Sequence, residues 1–125
     1  MINVKPTIET TLKSVVDNVS ECYPEEWSIL PIVQYIEEDN YSYIETDDAE
    51  QLSYIKYRVD IWDDKTISEI AVNIDKELSK LGLIRIESTD DIKQSTIRHK
   101  IMRFEGLIDV NTKKIFFIRK DWFKC

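Results

Sequence analysis

Residues 53–62 read Ser-Tyr-Ile-Lys-Tyr-Arg-Val-Asp-Ile-Trp, and this stretch decides the fold. Apolar and polar side chains alternate along it with the period of a strand that is buried on one face. The set expected to face the core is Ile55, Tyr57, Val59 and Ile61. The set expected to face outward is Tyr54, Lys56, Arg58, Asp60 and Trp62. The strand therefore predicts a sheet with one covered face and one open face.

Two segments are predicted to form the helices that cover this sheet. Thr66 and Glu69 have the spacing of a capping box, an apolar stripe at helical spacing follows them, and Gly82 supplies the C-terminal cap. Residues 7–19, after Pro6, carry a second one-sided stripe and predict an earlier helix. The members of that stripe are Ile8, Leu12, Val15, Val16 and Val19.

The remaining β-rich segments predict five more strands joined mainly by hairpins. They lie at 29–36, 41–45, 83–88, 96–108 and 114–119, with polar turns at 46–50 and 109–113. The order α, β, β, β, α, β, β, β indicates an α+β fold, a mostly antiparallel sheet covered on one face by two helices. A chain of 125 residues has the size of one domain, so we expect residues 1–125 to form a single unit.

Composition excludes several classes of protein. No apolar run reaches the ~18 residues of a membrane span and the N-terminus lacks a signal-peptide pattern, so we expect a soluble protein made in the cytoplasm, with no membrane partner. The net charge of −7 disfavours general nucleic-acid binding, because phosphate backbones are repelled. Cys22 and Cys125 have no Cys or His at metal-ligand spacing, and both are interpreted as incidental.

The charge is unevenly spread along the chain. Residues 37–64 hold ten acids and two bases, a local net of −8, whereas residues 96–125 hold eight bases and three acids, a local net of +5. One interpretation is two solvated charged faces. The other is a molecule with an acidic side and a basic side, copies of which can pack head to tail around a ring.

No catalytic constellation emerges from the residues, and the chain is predicted not to be an enzyme. His99 lacks a nucleophile partner and is expected on a polar or interface face of its strand. With only two glycines, the chain has no phosphate-binding loop. Asp60, Asp63 and Glu69 make a Mg²⁺ site of nuclease type conceivable, but a polar strand exit and a helix cap explain them more simply. No cofactor and no metal site are predicted.

Several segments, taken in order, resemble a known family. They are residues 31–38 (Pro-Ile-Val-Gln-Tyr-Ile-Glu-Glu), 57–63 (Tyr-Arg-Val-Asp-Ile-Trp-Asp), 68–75 (Ser-Glu-Ile-Ala-Val-Asn-Ile-Asp), 81–85 (Leu-Gly-Leu-Ile-Arg) and 99–106 (His-Lys-Ile-Met-Arg-Phe-Glu-Gly). The pattern, which spans about residues 7–119, looks like the tail-terminator, or tail-completion, proteins of long-tailed bacteriophages and of phage-derived tail particles in Gram-positive bacteria. It is an ordered series of strands and helices, with no catalytic motif.

The resemblance implies a small structural protein of the virion tail or neck, present in the bacterial host cytoplasm during assembly. Such proteins form a six-membered ring that caps the head-proximal end of the tail tube, ends its polymerisation and offers a surface to the neck or head connector. The implied partners are other copies of the chain, the tail tube protein and the connector. The resemblance implies no specific nucleic-acid partner, although the lumen of such a ring allows DNA to pass. Neither a cofactor nor catalysis is implied.

The predicted subunit and tube contacts lie on two strands. They are Lys56, Arg58, Asp60 and Trp62 on the first strand and Arg98, His99, Lys100 and Arg103 on the second. Three alternatives stay open beside the terminator. The chain can be a head–tail connector, which shares small size and ring symmetry, a metal-dependent nuclease using Asp60, Asp63 and Glu69, or a monomeric adaptor or inhibitor domain.

Overall fold

The computed structural model describes residues 2–24, 26–46, 49–65, 67–91 and 96–116, which form one sheet and two helices. The helices are α1 (Lys5–Lys13) and α2 (Ser68–Lys80). The strands are β1 (Asn18–Glu21), β2 (Ile32–Thr46), β3 (Ala49–Asp63), β4 (Ile84–Asp91), β5 (Arg98–Asp109) and β6 (Ile115–Phe116). The predicted α+β class is confirmed.

The strands are ordered β1-β2-β3-β5-β4 across the sheet, and β6 also pairs with β5. All neighbours are antiparallel except β1 and β2. β5 pairs with β3 along its whole length, from Arg98 opposite Asp63 to Asp109 opposite Leu52. Because a strand has two edges, β4 and β6 must follow one another along the other edge of β5. The sheet is therefore mostly antiparallel, as predicted.

Both helices pack on one face of the sheet, as predicted. On β3 the alternation of residues 53–62 is confirmed, because Ile55, Tyr57, Val59 and Ile61 are completely buried. The helices and β5 complete this core with Ile8, Leu12, Ile74, Leu78, Met102 and Phe104. Removing such side chains from water is the main favourable contribution to folding, at roughly 25 cal/mol per Å² of apolar surface.

The first predicted helix is wrong in its C-terminal half. α1 ends at Lys13, and Val19 belongs to β1, a four-residue strand that the sequence pattern did not predict. Val16 and Val19 are nevertheless buried, so they satisfy the same apolar stripe from a turn and a strand. Their β-branched side chains fit a pleated strand better than a helix, which explains why the helical spacing misled.

The strands predicted at 29–36 and 41–45 are one continuous strand, β2, which begins at Ile32 directly after Pro31. The acidic residues between them do not interrupt it because the sheet pairs them. Glu37 accepts a hydrogen bond from Tyr57 at 3.1 Å, and Glu38 pairs with Arg103 at 3.0 Å. The register shifts between Glu37 and Asp39, so Glu38 is an extra residue on β2 and forms a β-bulge.

The ends of α2 match the prediction in part. Gly82 follows the helix at a φ of 105°, a left-handed conformation that glycine adopts without steric cost, so the predicted cap is confirmed. At the other end the N-cap is Ile67, and no side chain of the described residues caps the helix. Thr66, the predicted cap, lies outside the described residues. β6 is described at Ile115–Phe116, so Lys114, predicted to begin this strand, precedes it, and residues 117–119 of the prediction lie outside the described residues.

Candidate functional site: the open face of the sheet

The face of the sheet opposite the helices, called here the open face, is organised in rows that cross four strands. Trp62 on β3 pairs in register with Ile32 on β2 and with His99 on β5, which pairs with Asp91 on β4. The next row contains Gln34, Asp60, Ile101 and Thr89. Residues directly opposite one another share a face, so each row brings together side chains that are distant in sequence.

Asp60 lies at the centre of a charged cluster on this face. Its carboxylate accepts hydrogen bonds from Arg58 Nε at 2.7 Å and Arg58 Nη2 at 2.9 Å, and His99 Nε2 lies 2.8 Å from Oδ2. Asp60 was expected to point outward to solvent, but it is only 2% exposed. A buried carboxylate is tolerated only where partners replace its hydration, and Arg58 and His99 provide them.

His99 links three strands of the sheet. Its Nε2 contacts Asp60 on β3, and its Nδ1 lies 3.0 Å from Oδ2 of Asp91 on β4. The imidazole also stacks on the indole of Trp62, with ring centroids 4.4 Å apart and planes 7° from parallel. The ring is thus held at both nitrogens and on one face, which fits the polar strand position predicted for it.

The aromatic stack continues onto the connection between β1 and β2. Trp27 contacts Trp62 edge-on, with ring centroids 5.3 Å apart. Trp27 itself is 49% exposed, and its neighbours Tyr23 and Ile29 are exposed as well. This connection therefore packs onto the open face through one tryptophan while it offers several apolar side chains to solvent.

A second charged cluster surrounds Arg103. Its guanidinium donates to Glu38 on β2 at 3.0 Å and to Glu87 on β4 at 2.9 Å. The hydrogen bond to Glu38 is the largest cause that raises the pKa of Arg103, as the bond to Asp60 raises the pKa of Arg58. Both arginines therefore stay charged, and each holds neighbouring groups in place.

Of the two interpretations of the charge distribution, the described residues do not support an acidic side and a basic side of the molecule. The acidic segment forms much of β2 and β3, and the basic segment forms β5, which pairs with β3. Glu38 of the first segment pairs with Arg103 of the second, and Asp60 of the first contacts His99 of the second. Lys100 is neutralised by Asp90 at 2.9 Å. Charges that are separate in sequence thus offset one another within the protomer.

The predicted contact residues are split between the two faces. Six lie on the open face: Lys56, Arg58, Asp60, Trp62, His99 and Arg103. Arg98 and Lys100 lie on the other face, because they alternate with His99 along β5 and share their side with the core residue Met102. The open face therefore unites the β3 set with half of the β5 set.

The three carboxylates of the nuclease alternative do not come together. Asp60 and Asp63 are three residues apart on β3 and so point to opposite faces. Glu69 is in the exposed first turn of α2, on the helix side. Within the described residues, no group of three or more His, Cys, Asp or Glu side chains is arranged to hold a metal ion.

The distal half of the β2–β3 hairpin is a further exposed surface, which sequence reasoning did not single out. Tyr41, Tyr43 and Ile44 are each more than two-fifths exposed. Tyr41 contacts the ring of Tyr54 at 4.9 Å, and Tyr54 donates to Glu105 at 2.7 Å. Burial is the largest cause that raises the pKa of Tyr54. The sequence signal that could have revealed this surface is the run Tyr41-Ser42-Tyr43-Ile44. Its large side chains are not confined to alternate positions, so they occupy both faces of the strand.

Comparisons with other proteins assign neither a family nor a function to this arrangement of residues. Neither helix of the described chain is long and apolar enough to cross a membrane. Neither a protein-family model nor a curated protein sequence matches the chain.

Proposed function

We propose that this protein is a tail terminator, a structural protein of a phage or phage-derived tail particle. Six copies form a ring that caps the head-proximal end of the tail tube, stops its polymerisation and presents the attachment surface for the neck or head. The resemblance over residues 7–119 supports this assignment, and it is the source of the ring size and of the position in the virion. The proposed role involves no catalysis and no cofactor.

The observation that carries the proposal is that the sheet has two edges, on opposite sides, that are not fully paired with a further strand among the described residues. β1 covers β2 only along Ile32–Tyr35, so Ile36–Thr46 has no strand beyond it among the described residues. On the other side, the described part of the chain has no strand beyond β4. Two different surfaces on opposite sides of a protomer are what a head-to-tail ring requires.

The open face supports a structural role for the charged residues. Arg58, Asp60, His99 and Arg103 are hydrogen-bonded to one another or to acids of the neighbouring strands. Because these side chains have their partners inside the protomer, they fix the geometry of the sheet. Identical copies in a ring require such a fixed geometry. In this proposal the exposed apolar groups of the hairpin and of the β1–β2 connection make the contacts with neighbours.

The test is tail length by negative-stain electron microscopy after deletion of the gene from its parent element. Overlong, headless tubes are expected, because the tube would lose the protein that ends its polymerisation. Supplying the wild-type chain in trans restores the length and serves as the control. Tubes of normal length that fail to join heads would move the protein to the neck. Unchanged particles would overturn both structural assignments.

A further inference from the structure

Both ring nitrogens of His99 face carboxylate oxygens. Nε2 lies 2.8 Å from Oδ2 of Asp60, and Nδ1 lies 3.0 Å from Oδ2 of Asp91. A neutral imidazole has a single N–H, so its other nitrogen would turn a lone pair towards a carboxylate. A ring with a proton on each nitrogen donates to both carboxylates. The contacts therefore fit the doubly protonated imidazolium better than the neutral ring.

The charges around the ring balance when the ring is protonated. β3 contributes Asp60 and the Arg58 guanidinium that is hydrogen-bonded to it, and β4 contributes Asp91. These three groups sum to one negative charge, which the imidazolium neutralises. Trp62, stacked on the ring, is uncharged. The side chains of His99 and Asp91 are only 15% and 22% exposed, so water would compensate an unbalanced charge poorly here.

The other charged groups near His99 have their own positions. Arg98 and Lys100, its neighbours along β5, lie on the opposite face of the sheet. Arg103, further along the same face, is bound by acids of β2 and β4. From β2 the uncharged Ile32 shares the row of His99, and from the β1–β2 connection Trp27 reaches Trp62. The titration of the ring is therefore coupled mainly to the two carboxylates that it contacts.

The C-terminal half of β4 is attached to β5 by polar side-chain contacts. Residues 85–90 are all exposed, so little apolar burial holds this part of the strand. Three ion pairs join it to β5, namely Glu87–Arg103, Asp90–Lys100 and Asp91–His99. Of the three cations, only histidine changes its charge near neutral pH. The pair of Asp91 and His99 is therefore the one that a change of pH can break.

We propose that Asp60, His99 and Asp91 form a proton-dependent latch that holds the end of β4 to the sheet. With a proton on each nitrogen, the ring bridges Asp60 on β3 and Asp91 on β4. When one proton is lost, the remaining N–H stays on Asp60, because that carboxylate is buried and cannot turn to water. Asp91 then faces a lone pair and turns outward, which loosens residues 88–91. The latch lies within one protomer and does not require a ring.

The ring protons can be observed directly, because His99 is the only histidine in the chain. NMR spectra of the isotope-labelled full chain record the imidazole nitrogens from about pH 5 to pH 9. Hydrogen exchange, corrected for the intrinsic rate at each pH, reports on the backbone amides. Asp91→Asn removes the carboxylate at the β4 end of the latch and keeps its shape. Asp90→Asn is the matched control, because it removes the same charge one residue away, from the pair with Lys100.

At about pH 7.5 roughly nine-tenths of an unperturbed histidine is neutral. Both nitrogens of His99 are nevertheless expected to be protonated at this pH in the wild type and in Asp90→Asn. In Asp91→Asn only Nε2, which faces Asp60, is expected to keep a proton. As the wild-type ring loses its second proton at higher pH, the β5-bonded amides of residues 88–91 are expected to lose protection, whereas those of residues 55–61 keep it.

Four results would each overturn the proposal. They are a wild-type ring with a single proton at about pH 7.5, an Asp91→Asn ring that keeps both protons, an Asp90→Asn ring that loses one, and a deprotonation that leaves the protection of residues 88–91 unchanged. The last result would leave His99 as a fixed link between strands with no effect on β4.

Discussion

On the helix-covered face of the sheet, Tyr57 and Phe104 are opposite one another and packed among aliphatic side chains, whereas on the open face Asp60 and His99 are packed among charges and indoles. Both pairs lie on β3 and β5, a few residues apart. The helix face gains its stability from burial, which is non-directional. The open face gains its order from hydrogen bonds, which require particular partners at particular distances.

The comparison teaches that the two faces specify different properties. An apolar core accepts many combinations of side chains with similar total volume. It therefore drives folding without selecting one exact arrangement. A buried carboxylate with three polar contacts accepts few alternatives, so it selects the register in which β3 and β5 pair. Mutations on the two faces should therefore differ in size and in their dependence on pH and salt.

The largest effect is expected on the helix face. Ile74→Ala removes a fully buried side chain of α2 and should lower the free energy of unfolding by about 2–5 kcal/mol, because it leaves a cavity. Val72→Ala on the same helix is the control, since Val72 is 66% exposed and should change stability by less than about 0.5 kcal/mol. Urea denaturation measures both. Equal effects would show that α2 does not pack as described.

On the open face, Asp60→Asn should lower the free energy of unfolding by about 2 kcal/mol. The neutral amide keeps the shape but leaves Arg58 and His99 without the buried charge that they contact. Asp75→Asn is the control, because Asp75 pairs with Arg85 near solvent, where such pairs contribute roughly 0–1 kcal/mol. If Asp60→Asn left the free energy of unfolding unchanged, the charged cluster would not select the register in which β3 and β5 pair.

Alkaline pH should weaken the helix face through its tyrosines. Burial is the main cause that raises the pKa of Tyr35 to about 12, and burial likewise raises the pKa of Tyr57. The unfolded chain releases these protons near pH 10 while the folded chain keeps them, so stability falls as pH rises from about 10 to 12.

At pH 11, Tyr35 alone should account for about 1 kcal/mol of this loss. Tyr35→Phe, compared with the wild type by urea denaturation at pH 9 and pH 11, should lose less stability between the two pH values. An identical pH dependence in the variant would contradict a raised pKa for Tyr35.

The smallest effect is expected at Arg103. Arg103→Ala removes contacts to Glu38 and Glu87 near solvent and should cost about 0.5–1 kcal/mol. The difference from the wild type should shrink in high salt, because exposed ion pairs are screened. Lys80→Ala, which removes one exposed pair with Glu77, should cost less. A salt-independent loss at Arg103 would indicate packing of its aliphatic stem instead.

The helix face could be predicted from the sequence, because alternation in residues 53–62 and the stripe of α2 are local signals. The open face could be predicted only in outline. Asp60 is buried by partners that include His99, 39 residues away, and no local pattern reveals such a contact. β1 was not predicted because Val16 and Val19 continue the helical spacing of the apolar residues before them, although Val19 lies in a strand. The β2 bulges were missed because an acidic run usually marks a turn.

The contact between Trp27 and Trp62 has a spectroscopic consequence. Two indoles at close range and at 72° to one another couple their electronic transitions, which gives a paired signal in circular dichroism that an isolated indole lacks. One partner belongs to the β1–β2 connection and the other to the sheet. The signal therefore reports whether the connection is seated on the sheet, independently of the global transition that the core controls.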